Sequence, residues 1–199
     1  MEDFFTESYP DPNPDQSNNI STNVRRFILD VLQTLVLSTI LFLAINAVSA
    51  RIRVQSISMQ PTLFEGDFVL VNRVAYKLGT PGRGDIIIFR YPPNPDAEPY
   101  IKRVIGLPGE VVSIVNGKVS INGDPLSEPY LSTSTGSSGT WKIPENSLFV
   151  MGDNRNNSSD SRVWGMVPFE NVIGKAEVVY LPFQHWQVLN PRVAIAAES

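Results

Sequence analysis

An apolar run at residues 27–48, dominated by Leu, Ile, Val, Phe and Ala, constrains this chain more than any other feature. As a helix it would be about 33 Å long, enough to cross a hydrocarbon layer of about 30 Å. Asp30, Gln33, Thr34 and Asn46 lower its apolarity and would also suit a core helix. Asp30, however, can sit at an interface beside Arg25 and Arg26, and the span is read as transmembrane. Residues 1–23 carry Pro10, Pro12 and Pro14 among acidic and amide residues without apolar periodicity, the composition of a disordered tail. The expected organisation is an acidic tail over 1–23, an anchor over 24–50 and one domain over 51–199. Charge does not orient the span, because Arg25 and Arg26 on one side are matched by Arg51 and Arg53 on the other.

Beyond the anchor the period changes. Residues 67–74 and 85–89 are short β-branched and aromatic runs bounded by Gly66 and by Pro81-Gly82-Arg83-Gly84, and they read as strands. Val111 to Val115, Asn116-Gly117 and Lys118 to Ile121 form a hairpin signature, since Asn-Gly accepts the positive φ angles of a tight turn. Further strands are expected at 100–105, 147–151 and 176–181. The fold class is mainly β: an antiparallel β-rich domain behind one N-terminal transmembrane helix. The run Ser132-Thr133-Ser134-Thr135-Gly136-Ser137-Ser138-Gly139 reads as an exposed flexible loop, and the tail after Trp186 carries no legible chemistry.

Composition removes several functions. A net charge of -4 argues against nucleic acid as a partner. The chain has no cysteine, which excludes thiolate chemistry, and its single histidine, His185, excludes a histidine-rich metal site. His185 could complete a Ser-His-Asp triad, but its setting in Phe183-Gln184-His185-Trp186 suits an edge histidine better. A serine nucleophile would then need a lysine or carboxylate base. Ser56-Ile57-Ser58-Met59-Gln60-Pro61-Thr62 supplies two hydroxyls two residues apart, and Tyr100-Ile101-Lys102-Arg103-Val104-Ile105 supplies a lysine. Period two puts Lys102 on the strand face of Tyr100 and Val104, an apolar setting that disfavours the ammonium. A fall from about 10.4 to about 8 would need roughly 3 kcal/mol, within the reach of burial. Standing alone, each stretch has a plainer reading: a strand-entry loop, a surface lysine beside Arg103, and, for Gly152 to Arg162, a well-made turn.

Taken in order, these blocks, with Gly84-Asp85-Ile86-Ile87-Ile88-Phe89 between the first two and Gly152-Asp153-Asn154-Arg155-Asn156-Asn157-Ser158-Ser159-Asp160-Ser161-Arg162 last, resemble the successive motifs of type I signal peptidases. The resemblance spans residues 56–162. It implies Ser58 as nucleophile and Lys102 as base, with Ser56 and the Ser58 backbone N–H holding the oxyanion. It also implies that Ser158 orients the lysine and that Asp153, Arg155, Asp160 and Arg162 support the site. Asn156 stands where many bacterial members carry aspartate, and Ile57 where some have glycine. The implied protein is a membrane-anchored serine endopeptidase that cleaves signal-peptide-bearing precursors after small residues through an acyl-enzyme, with no cofactor and no metal. It is expected to be a monomer in the lipid bilayer, its tail cytoplasmic and its domain on the exported side of a plasma membrane or another energy-transducing membrane. Residues 110–146 fall at the place of the family's variable insertion, here short. Substrate would lie extended along a strand edge with small side chains in shallow pockets. The segment from Ala50 to Ser58 reaches at most about 28 Å, which would keep the site near the membrane. Val48-Ser49-Ala50 itself resembles a cleavage site, protected if the anchor stays helical to its end. Two other classes share parts of this pattern: a self-cleaving Ser-Lys repressor, which would need a DNA-binding module, and a tethered β-domain without enzymatic activity.

Overall fold

A computed structural model describes residues 14–189 and 194–195. The tail expected over 1–23 lies outside the described residues up to 13, and from Pro14 the backbone is helical. The chain divides into two units, Met1–Asn46 and Ala47–Ser199.

The first unit is carried by helix α1, Pro14–Val48. Its stretch Asn23–Val48 is long and apolar enough to cross a membrane, about 39 Å at 1.5 Å per residue, and none of it is buried. Its hydroxyls are satisfied within the helix: Thr34 Oγ1 donates to Asp30 O and Thr39 Oγ1 to Leu35 O, both at 2.8 Å. Such back-bonding removes the need for water along an apolar span.

The second unit is antiparallel β throughout. In chain order its strands are β1 (Ser49–Arg53), β2 (Phe68–Asn72), β3 (Ile86–Phe89), β4 (Tyr100–Gly106), β5 (Val111–Val115), β6 (Lys118–Ile121) and β7 (Asp124–Ser127). They continue with β8 (Gly139–Lys142), β9 (Ser147–Met151), β10 (Val167–Pro168), β11 (Val172–Leu181), β12 (Gln187–Val188) and β13 (Ala194–Ile195). Two short helices intervene, α2 (Ala75–Leu78) and α3 (Ser161–Trp164). One sheet runs β1-β2-β11-β3-β4-β9-β10 with β12 beside β11, and the other runs β13-β7-β6-β5-β8.

Strand β3 shows how the larger sheet is built. All four of its residues are buried, because both faces are covered: Ile86 and Ile88 join Val69, Val71, Met59 and Leu63, while Ile87 and Phe89 join Val104, Leu148 and Val150. That is why this stretch is continuously apolar where a half-exposed strand would alternate. A third cluster, with Val112, Ile114, Ile121, Ile105 and Phe149, joins the small sheet to the ends of β4 and β9. The expected hairpin forms at Asn116 and Gly117, with φ of 49° and 77°.

The structure departs from expectation at the end of the anchor and in the serine-rich loop, and it gives residues 187–189 a role that the sequence leaves open. Ser49 and Ala50 leave the helix for β1, where they pair with Asn72 and Val71. The resemblance of Val48-Ser49-Ala50 to a cleavage site is thus offset by strand pairing and not by helix. Residues 187–189 are structural, since β12 pairs with β11 and Gln187 Nε2 donates to Thr62 O at 2.7 Å. The serine-rich loop is anchored: Thr135 is 4% exposed, and Asn156 accepts from Gly136 N at 2.8 Å and donates to Ser134 O at 3.2 Å.

Gly106 marks where the two sheets meet. A Cβ there would run into Ile143, Val112 and Phe149, all buried. Gly106→Ala is expected to cost about 1–3 kcal/mol by overpacking, read as a lower urea midpoint with unchanged slope.

Candidate active site

Residues Ile57–Met59 form a single 3₁₀ turn between β1 and β2, entered from Ser56 in extended conformation (φ −140°, ψ 158°). The turn places Ser58 inward, 7% exposed, with Met59 fully buried beneath it. Ser56 Oγ lies 3.0 Å from Ser58 Oγ. The block at residues 152–162 holds this turn from outside: Asn154 N donates to Ser58 O at 3.0 Å and Asn154 Nδ2 to Ile57 O at 3.2 Å. Gly152 packs so closely that a Cβ would collide with both Ser58 O and Ser158 Oγ.

Lys102 comes from β4. It lies opposite Ile87 of β3 and shares its strand face with Tyr100 and Val104, so its stem is enclosed by apolar side chains and it is 4% exposed. Its Nζ is 2.8 Å from Ser58 Oγ and donates to Ile101 O at 3.0 Å. Burial lowers the Lys102 pKa to about 8, against the opposing pull of Asp160 and Asp153. A hydroxyl beside an amine that can be neutral near physiological pH is the pairing a Ser-Lys nucleophile requires.

Arg103, next along β4, points the other way and ties the blocks together. Its Nε donates to Asp153 Oδ1 at 2.8 Å and its Nη2 to Asp153 Oδ2 at 2.7 Å. Nη1 donates to Gly84 O at 3.0 Å, and Nη2 also reaches Thr62 Oγ1 at 3.3 Å. Asp160 caps α3, accepting from Gly152 N at 3.0 Å and from Arg162 Nε and Nη2, both at 2.7 Å. Arg155 donates to Gly152 O at 3.1 Å and forms a two-point ion pair with Glu128.

Ser56, Ser58, Lys102, Asp153, Arg155, Asp160 and Arg162 therefore converge from distant parts of the sequence. Ser158 lies against Gly152, and among the described residues its buried hydroxyl has no hydrogen-bond partner, while the Lys102 side chain bonds that of Ser58 alone. His185 is engaged elsewhere, with Nδ1 2.6 Å from Asp67 Oδ1 and its ring 5.0 Å from Phe64. Sequence reasoning gives no role to Arg103, Thr62, Glu128, Tyr130 or Thr135; only Arg103 and Thr62 lie within the motifs, where their residue types could have prompted a search for a buried pair. Among the described residues no His, Cys, Asp and Glu cluster could hold a metal ion.

Ser56, Ser58 and Lys102 open onto a cleft of about 680 Å³. One wall is residues 51–57, continuing the edge strand β1, and the other includes Glu98, Pro99, Tyr100 and Ile101.

The family profile described as "Signal peptidase, peptidase S26" matches residues 25–181. The signal peptidase I of Leptolyngbya laminosa is 42% identical over 172 residues, covering 82% of this chain and 85% of its own. A probable signal peptidase I-1 of Synechocystis sp. is 38% identical over 182 residues, covering 87% and 93%, and signal peptidase I S of Bacillus subtilis is 35% identical over 189 residues, covering 88% and 100%. With an apolar helix, a β-rich domain and a buried serine–lysine contact already in place, these matches make the chain a member of the signal peptidase family, peptidase S26: a membrane serine endopeptidase of the signal peptidase I type.

Proposed function

We propose that this protein removes signal peptides from exported precursor proteins, cutting after small residues of an Ala-x-Ala type site with Ser58 as nucleophile and Lys102 as general base. The observation that carries the reading is the 2.8 Å contact between Lys102 Nζ and Ser58 Oγ in a buried setting open to a cleft. In the neutral lysine the Nζ lone pair takes the Ser58 hydroxyl proton as Oγ attacks the scissile carbonyl. The oxyanion is held by the Ser58 backbone N–H and the Ser56 hydroxyl, which must turn from its resting contact with Ser58 Oγ. Lys102 then gives its proton to the departing amine, and water resolves the acyl-enzyme by the reverse path. Ser158 orients Lys102 when its hydroxyl, unpartnered at rest beside Gly152, turns to Nζ, while Asp153, Arg155, Asp160 and Arg162 fix the frame and take no proton.

Substrate adds as an extended strand along residues 51–57, the edge of the large sheet. Ile57, Ile88 and Ile101 line the cleft near Ser58 and leave room for small side chains. The chain acts as a monomer, with α1 in the bilayer, the tail cytoplasmic and the domain on the exported side.

Ser58→Ala should abolish cleavage of a labelled precursor without loss of folding, and Ser56→Ala should lose about 10²- to 10³-fold. Turnover by Ser58→Ala near the wild-type rate refutes the assignment.

The kcat/KM profile should rise with pH through an acid limb near 8, the value to which burial lowers Lys102. Lys102→Arg, charged at every usable pH, should be inactive across that range. An active arginine variant would move the base to another group.

Stability should carry the same signature. The Lys102 pKa is lower in the fold than its ordinary 10.5, so the folded state binds fewer protons between about 8 and 10.5, and stability rises with pH across that window. Below 8 the full cost of burying the ammonium is present, about 3 kcal/mol. Lys102→Met should therefore be more stable than wild type at pH 7, with the gap closing toward pH 10.5 in chemical denaturation. A gap that does not change with pH would show that Lys102 is not buried as a charge.

A further inference from the structure

Two carboxylates of residues 152–162 are tied to the turn that carries Ser58, the partner of Lys102: Asp153 precedes Asn154, whose N–H donates to Ser58 O, and Asp160 accepts from Gly152 N, which packs against Ser58 O; both favour the Lys102 ammonium. Neither is bare, since Arg162 binds Asp160 at two points and Arg103 binds Asp153 likewise. Each guanidinium is in turn held by the segment between β7 and β8. Tyr130 lies under Arg103, its ring centroid 4.0 Å from the guanidinium carbon, and donates its hydroxyl to Glu128 Oε1 at 2.6 Å. Arg162 Nη1 donates to Thr135 Oγ1 at 2.8 Å and to Ser137 Oγ at 3.1 Å. Asn156 fixes that loop from below through Gly136 N and Ser134 O. The remaining titratable or charged groups about Lys102 are Tyr100, whose ring is 5.4 Å from Nζ, and Arg51, Arg53 and Glu98 on the walls of the cleft; the opposing β3 position, Ile87, is apolar.

We propose that residues 128–137 tune the active site, with Tyr130, Thr135 and Ser137 as positioning residues that keep Arg103 and Arg162 docked on Asp153 and Asp160, so that neither carboxylate presents an uncompensated charge to Lys102. The proposal rests on the Ser58–Lys102 reading. Loosening either arginine leaves its carboxylate in place and moves the compensating cation away, so the ammonium gains and the base is lost at neutral pH. A purely structural segment would lower the rate equally at every pH.

The test is the pH dependence of kcat/KM between about pH 5.5 and about pH 10. It uses the full chain in detergent with a labelled Ala-x-Ala precursor, comparing wild type, Tyr130→Leu, Tyr130→Phe and the double variant Thr135→Val/Ser137→Ala. Tyr130→Leu should raise the acid-limb midpoint by about one pH unit, a loss of about tenfold at pH 7 that nearly vanishes at pH 10. Tyr130→Phe keeps the ring under Arg103 and should restore the wild-type midpoint. The double variant should move it by about half a unit, about threefold at pH 7, and decides the matter if Tyr130→Leu does not fold. Unmoved midpoints with uniform losses overturn the proposal. A wild-type profile without an acid limb, or an active Lys102→Arg, would instead overturn the dyad on which it rests.

Discussion

The site depends on one buried ion pair. Arg103 and Asp153 are each 2% exposed, and their two-point contact joins β4 to the block at residues 152–162 while the same guanidinium reaches Gly84 O and Thr62 Oγ1. Lysine could not substitute, because only a planar fork of donors meets a carboxylate, a carbonyl and a hydroxyl at once and still offers a face to an aromatic ring. Such a pair is weak evidence for stability, since desolvation cancels much of its attraction, but losing one partner leaves a buried charge at a cost of about 3–5 kcal/mol. Its contribution is register. With Asp153 fixed on Arg103, the following Asn154 is set to bond the backbone of Ser58, and the preceding Gly152 is set against it.

The same pair bears on the chemistry. Three guanidinium–carboxylate pairs are buried around the site: Arg103–Asp153, Arg155–Glu128 and Arg162–Asp160. Their formal charges cancel within the set. Burial acts on Lys102 against the pull of Asp160 and Asp153, and it outweighs them. Asn156 fits this scheme as an amide. Aspartate could accept from Gly136 N but could not donate to Ser134 O, so here the loop is held by a neutral group that adds no fourth carboxylate.

What the sequence disclosed, and what it hid, follows from the range of the interactions. The strands around Ile86, Val112 and Leu148 were legible because β-branched runs between turn residues are a local signal, and the hairpin at Asn116-Gly117 because its backbone demands those residues. The convergence of Ser58 and Lys102 was legible only through motif resemblance, since their contact spans 44 positions and has no local signature. Short pieces such as β1, β7 and β12 were not legible: each is stabilised by its neighbour and not by its own pattern. The serine-rich run misled because composition measures the entropy a segment must lose, and not the arginine and asparagine waiting to bind it.

Strand β1, at the edge of the large sheet, answers two opposing demands. On the proposed reading its outer edge must stay unpaired to receive an extended substrate, and an unpaired edge also invites pairing with any other strand. The sequence Ser-Ala-Arg-Ile-Arg meets both demands. Ile52 packs against the core and holds the strand to β2, while Arg51 and Arg53, exposed on the opposite face, form no side-chain hydrogen bond or ion pair among the described residues. Two unneutralised charges one pleat apart disfavour a second copy of the same edge, which would bring arginine against arginine, without blocking a single uncharged peptide. The edge can thus remain open for substrate because its charge makes self-pairing unfavourable.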